Sequence, residues 1–390
     1  MGPLRVWDNA FVPRRARMRP AASAIMVLPY PRRQPASRSP PAIAHAAAPP
    51  APTTPAVRLA RSIIFLDDGH PVGLTVAGRG VPLVVANGFS AQGAMYAQTL
   101  SRLVGMGFKV IAIDTPGHGD TGLPATDPGE LRSHVELMSR IIDHLGVDQA
   151  VFLGHSLGGR LITEVAASDP SRVVAVILID AIVGQQWDEQ LARMHSCPVM
   201  GIFMIGRLAF DTASVFPVLA DPQQARKFLS LARKGMAGTR PRSLLPAGMA
   251  IYHAPPSTVP LDVLGDAGVP AVVIHGAGDL AVPLESARDA AARLGAELAV
   301  IDGARHSWMF RDPETLPAIL GKLLAGSLGD AWAAALSRAG LDPASATLPE
   351  IEDALYRRAA LAVELTPPLE FTRSAGRRRP PAFTFAFERP

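Results

Sequence analysis

AVFLGHSLGG, residues Ala150–Gly159, decides the fold. Ala150–Leu153 is a short apolar run of the kind that forms a fully buried strand. Gly154-His155-Ser156-Leu157-Gly158 follows at once, and a helical pattern over Leu157–Ala167 begins directly after the serine. A strand that turns within one residue into a helix forces that residue into strained backbone, and side chains two positions either side would strike the neighbouring strand and helix. Glycine at both positions removes the clash. The turn lifts the Ser156 hydroxyl clear of the sheet, and the helix N-terminus beyond it favours developing negative charge.

Outward from this turn the chain alternates. Arg61–Leu66 and Val72–Ala77 read as β-runs around the hairpin signal Asp67-Asp68-Gly69. Leu83–Ala86, Val110–Asp114, Val173–Asp180, Ala271–His275 and Leu298–Ile301 join Ala150–Leu153 as nearly continuous apolar strands. A parallel sheet covered on both faces requires such strands. Helical patterns lie between them at Met95–Gly105, Glu130–Leu145 and Glu285–Leu294. The expectation is an α/β fold with a mostly parallel, doubly wound sheet over residues 61–182 and 263–326.

The alternation breaks once. Residues 183–262 hold no clear strand but carry Met194, Met200, Met204, Met236 and Met249 with Phe203, Phe210, Phe216 and Phe228. This insertion predicts a helical cap over the carboxyl edge of the sheet, with an ordinary helical core as the plainer alternative. Residues 327–370 predict a helical extension, in which Thr347 and Glu350 open a helix running to about Ala360.

The formal charge is +4, yet it is unevenly spread. Residues 1–60 carry nine arginines against one acid, and residues 371–390 five against one, which leaves −8 on residues 61–370. The head also holds 12 of the 37 prolines, so both ends are expected to be disordered basic tails. The head's composition also suits a targeting segment or electrostatic docking to anionic lipid or nucleic acid. With the body acidic, nucleic acid is not an expected partner. The lone cysteine, Cys197, precludes an internal disulfide and is expected to be an inert core thiol. No apolar run approaches the roughly 18–20 residues of a bilayer span. A cytoplasmic protein is the simplest expectation, with a targeted or membrane-peripheral one as the alternative.

A serine hydroxyl needs a base to take its proton and a third group to orient that base. Ser156, Asp279 and His306 fit those roles in chain order, the latter two each just past a strand end, where open α/β sheets gather function. Asp180 is a candidate for a displaced acid. His118 and Asp120 read as loop residues and His155 as pocket packing. No cluster has metal spacing and no dinucleotide glycine motif is in place, so neither metal nor cofactor is expected.

Residues 61–326, about two-thirds of the chain, resemble the α/β-hydrolase superfamily in its cap-bearing esterase and lipase-like branch. The resemblance is carried by Asn87-Gly88-Phe89, Asp114-Thr115-Pro116-Gly117-His118-Gly119, the serine turn, Gly278-Asp279 with Val282-Pro283, and Gly303-Ala304-Arg305-His306. It implies an oxyanion hole built from the backbone N–H groups of Phe89 and Leu157. Asn87 departs from the histidine usual at that position. The expected activity is cleavage of a small to medium lipophilic carboxylic ester through an acyl-serine. Thioester, lactone, C–C bond or perhydrolase chemistry, or a non-catalytic receptor, are the alternatives. Serine at the turn argues against dehalogenase and epoxide hydrolase chemistry, which place aspartate there.

Overall fold

In a computed structural model, the described residues are Val57, 59–214, 226, 229, 230, 233, 241–366 and 380–389. Their centre is a nine-stranded sheet in the order β1-β2-β4-β3-β5-β6-β7-β8-β9. The strands are β1 (Ala60–Phe65), β2 (Pro71–Ala77), β3 (Val81–Ala86), β4 (Phe108–Ile113), β5 (Ala150–His155), β6 (Val173–Ile179), β7 (Ala271–Gly276), β8 (Glu297–Ile301) and β9 (Phe385–Glu388). From β3 to β8 all pairings are parallel, while β1, β2 and β9 run antiparallel to their neighbours. Every residue of β3, β4, β5 and β6 is buried, as a sheet sandwiched between helical layers demands. The crossovers carry α1 (Ala97–Val104), α2 (Leu131–His144) and α3 (Leu157–Ser168), each presenting a buried apolar face. The mostly parallel α/β architecture agrees with the sequence.

Between β6 and β7 the chain forms α4 (Gln185–Ser196), α5 (Pro198–Ser214) and the helices Pro241–Tyr252 and Thr258–Asp266. Most of 215–240, including Phe216, Phe228 and Met236, lies outside the described residues. The expected resumption of the core at residue 263 falls inside Thr258–Asp266. Leu261 and Leu264 of that helix are fully buried in the main core, so the core resumes about five residues earlier than the composition change suggested.

The ends also differ from expectation. Residues 1–56 and 58 lie outside the described residues, but Val57 is buried and β1 already begins at Ala60. In the expected C-terminal tail, 371–379 and 390 lie outside the described residues, whereas Phe385–Glu388 pairs with β8. Phe385 and Phe387 alternate along it, and with Phe383 just before it they pack against the core. Arg288 closes a two-bond ion pair on Glu388 at 3.0 Å. That period-two pattern stabilises a strand in spite of the basic run before it. The capping box at Thr347 and Glu350 is formed, but its helix stops at Leu355 because Tyr356 turns extended and bridges to Val147. Cys197 is exposed, capping α4 rather than lying in a core. Among the described residues no single helix is long and apolar enough to cross a membrane.

Candidate active site

Ser156 sits between β5 and α3 with φ 54° and ψ −118°, a strained conformation for a residue with a side chain. Its N–H donates to Ile179 O at 3.0 Å and its carbonyl accepts from Ile182 and Arg160, so three neighbours hold the turn. A Cβ at Gly158 would run into the backbone carbonyl of Ala86 on β3. The glycine therefore lets α3 approach the sheet, as the sequence pattern implied.

His306 Nε2 lies 2.9 Å from Ser156 Oγ, and His306 Nδ1 lies 2.8 Å from Asp279 Oδ2. Since a carboxylate can only accept, Nδ1 carries the hydrogen, and in the neutral ring Nε2 faces the serine as a lone pair. The other Asp279 oxygen accepts from Ala281 N and Val282 N at 2.7 and 2.9 Å, which fixes the carboxylate plane. Burial opposes the Asp279 charge, but the His306 ring beside it prevails and holds that carboxyl below its ordinary range. Burial likewise works against a charged His306. The facing Asp279, then Asp180 and Asp211, outweigh it and raise the imidazole to about 9.

Leu157 is the first residue of α3, where a backbone N–H has no acceptor one turn back. On the opposite side, the Asn87 side chain explains its departure from histidine. Its Nδ2 donates to Gly88 O at 3.0 Å and to Ala91 O at 2.8 Å, and its Oδ1 accepts from Thr115 N at 3.0 Å. Holding Gly88 C=O also aims the Phe89 N–H, because the two belong to one rigid peptide plane. A second apolar cluster covers this edge. Leu131, Leu157, Leu161, Ile182, Trp187, Ala281 and Val282 form its buried part, with Phe89, Met204, Leu208 and Ile251 packed against them. The inserted helices thus set apolar side chains beside both candidate oxyanion residues.

The alpha/beta hydrolase family profile matches residues 83–319, well over half of the chain. The chain belongs to the alpha/beta hydrolase family. It is 34% identical over 267 residues to a Mycobacterium phage D29 protein provisionally named a non-heme haloperoxidase, covering 64% of this chain and 90% of that one. It is 25% identical to a provisionally named carbamate hydrolase of Rhizobium rhizogenes, over 60% of this chain and 88% of the relative. Among solved structures, a carboxylesterase of the thaumarchaeon Nitrososphaera gargenis aligns with TM-score 0.54 at 21% identity, covering 70% of this chain and 99% of that one. The enol-lactonase of Burkholderia xenovorans aligns with TM-score 0.53 at 19% identity, covering 68% and 100%. At such identities the structural likeness speaks for the fold alone.

Within this alpha/beta hydrolase the remaining candidates fall into supporting positions. Asp180 does not reach His306. Its Oδ1 accepts from Gly276 N and its Oδ2 from the Trp308 indole, each at 2.8 Å. Burial, then the neighbouring Asp279, raise its pKa well above the ordinary range. Asp180, His275 and Asp279 are near enough to share a metal ion, a grouping that sequence spacing concealed. His118 is buried with Nδ1 3.1 Å from Pro116 O. Asp120 pairs with Arg61, which also grips the buried Asp114. His155 is the residue whose role the sequence concealed most: its ring bonds to Tyr96 and to the His306 carbonyl.

Proposed function

We propose that this hydrolase cleaves a small to medium lipophilic carboxylic ester through an acyl-Ser156 intermediate. The observation that carries the reading is the pair of contacts at 2.9 and 2.8 Å that links Ser156 through His306 to Asp279. Ser156 Oγ attacks the carbonyl carbon while His306 Nε2 takes its proton. Asp279 keeps the imidazole in the tautomer that can accept, and stabilises the imidazolium that results. The Phe89 and Leu157 N–H groups receive the oxyanion, each contributing about 3 kcal/mol to lowering the barrier. The imidazolium returns its proton to the departing alcohol, and water activated by the same His306 releases the acid. The apolar cluster around Phe89, Leu157, Met204 and Leu208 supports a lipophilic acyl or alcohol group.

The kinship to a provisionally named haloperoxidase favours a second reading, in which hydrogen peroxide replaces water and the acyl-serine yields a peracid. A fluorophosphonate probe and a chain-length series of p-nitrophenyl esters test the first reading on wild type and Ser156→Ala. Labelling and turnover present in wild type and absent in the variant are expected. An inert wild type would sink it. Peracid formation from a carboxylic acid and peroxide separates the second reading from the first.

A further inference from the structure

We propose that Tyr96 and His155 are positioning residues, forming one hydrogen-bonded strut that fixes His306 relative to the oxyanion segment at Gly88-Phe89. The proposal rests on the acyl-serine reading above and adds to it a determinant of the Ser156–His306 distance.

The direction of every bond in the strut follows from its end. His306 O is a carbonyl and can only accept, so His155 Nε2, 2.8 Å away, carries the hydrogen. His155 Nδ1 is then a lone pair, and the Tyr96 hydroxyl at 2.9 Å donates to it. The Tyr96 oxygen in turn accepts from Gly88 N–H at 3.2 Å. Gly88, Tyr96, His155 and His306 are thereby joined in one sense, with every polar atom along the way satisfied. Tyr96 and His155 are both buried. Burial pushes the His155 imidazole down to about 3, the adjacent His306 adding to this, and burial also raises the Tyr96 phenol. The strut therefore keeps its hydrogens in place wherever His306 titrates.

A buried tyrosine–histidine pair is an expensive way to fill a core, since apolar residues of the same volume carry no desolvation penalty. What the polar pair adds is a fixed spacing. His155 is the residue before Ser156, so a single dipeptide holds the serine through its backbone and the base through its side chain. At the far end, Gly88 is held on both sides: its N–H by Tyr96, its carbonyl by Asn87 Nδ2 and Ala91 N. Gly88 must also be glycine for the ring to reach in, because a Cβ there would lie 2.8 Å from His155 Nδ1.

Tyr96→Phe removes one oxygen and leaves the ring volume intact. Wild type is assayed first, and its labelling by fluorophosphonate establishes the parent reading independently of the strut. In Tyr96→Phe, kcat is expected to fall roughly tenfold to a hundredfold with KM nearly unchanged, as for a misplacement of well under 1 Å. Binding of a boronic acid that mimics the oxyanion is expected to weaken in parallel with kcat/KM. His155→Leu is expected to lose as much, and His155→Gln, whose amide can still donate to His306 O, to recover part of it. Melting temperatures recorded alongside separate positioning from folding. An active wild type with Tyr96→Phe at full kcat overturns the strut, as does His155→Gln performing no better than His155→Leu.

Discussion

Two aspartates with buried side chains follow two adjacent strands of this sheet, and they serve opposite ends. Asp279, after β7, turns one oxygen to His306 and the other to the N–H groups of Ala281 and Val282. Asp180, after β6, has positive φ and spends both oxygens on Gly276 N and the Trp308 indole. Their electrostatics part accordingly. The imidazole holds Asp279 ionised, while burial beside a second carboxyl drives Asp180 toward its protonated form. Position past a strand end is thus insufficient to identify a catalytic acid. Which donor meets the carboxylate decides, and Asp180 fixes Trp308, two residues beyond His306, rather than His306 itself.

The sharpest way to break this contrast is to remove each charge in turn. Asp279→Asn is expected to lower kcat by about 10⁴-fold with little change in melting temperature, since geometry survives but the imidazole tautomer does not. Asp180→Asn should retain most of kcat. If the reverse were measured, the two assignments would exchange. Removing residues 380–390 takes Phe383 from the edge of Trp308, 6.3 Å centroid to centroid, and uncovers β8. A loss of about 4 kcal/mol in denaturant unfolding is expected from the half-buried phenylalanines and the lost strand ladder. Asp180→Ala orphans two buried N–H donors and should cost about 3 kcal/mol by the same measurement. Stability unchanged in Asp180→Ala would refute its role as a brace.

The smallest effect concerns a third acid. Asp211, on α5, accepts from Leu280 N at 2.9 Å, next to Asp279, and adds to the charge that raises His306. His306 must be neutral to act as base, so kcat/KM should rise with pH along a limb displaced to the alkaline side of an ordinary imidazole. Asp211→Asn keeps an acceptor for Leu280 but removes the charge, so the His306 pKa falls and the limb moves to lower pH. A limb that stays in place in Asp211→Asn would show that α5 exerts no field on the base.

Ser156, Asp279 and His306 were legible because each stands at the end of an apolar strand, amid glycines that a local pattern can reveal. Phe89 and Leu157 became candidates through resemblance. Their surroundings were not legible. Contacts from His155 to His306 and from Asp180 to Trp308 span more than a hundred residues, and no periodicity encodes such pairings. Asn87 could be noted as a departure, but its three-way grip on Gly88, Ala91 and Thr115 needs the fold. β9 was hidden for another reason: a four-residue strand of alternating phenylalanine is a weak signal beside a run of three arginines.

That strand bears on how the molecule is made. Ile301 pairs with Phe385, about eighty residues further along. At roughly 5–20 residues per second, a ribosome needs on the order of 4–16 s to deliver the partner that closes β8. All three candidate catalytic residues will have been synthesised by then, while the open strand beside them still offers its hydrogen bonds to any passing chain. For this hydrolase, the catalytic candidates are complete in the nascent chain before the edge of β8 is covered.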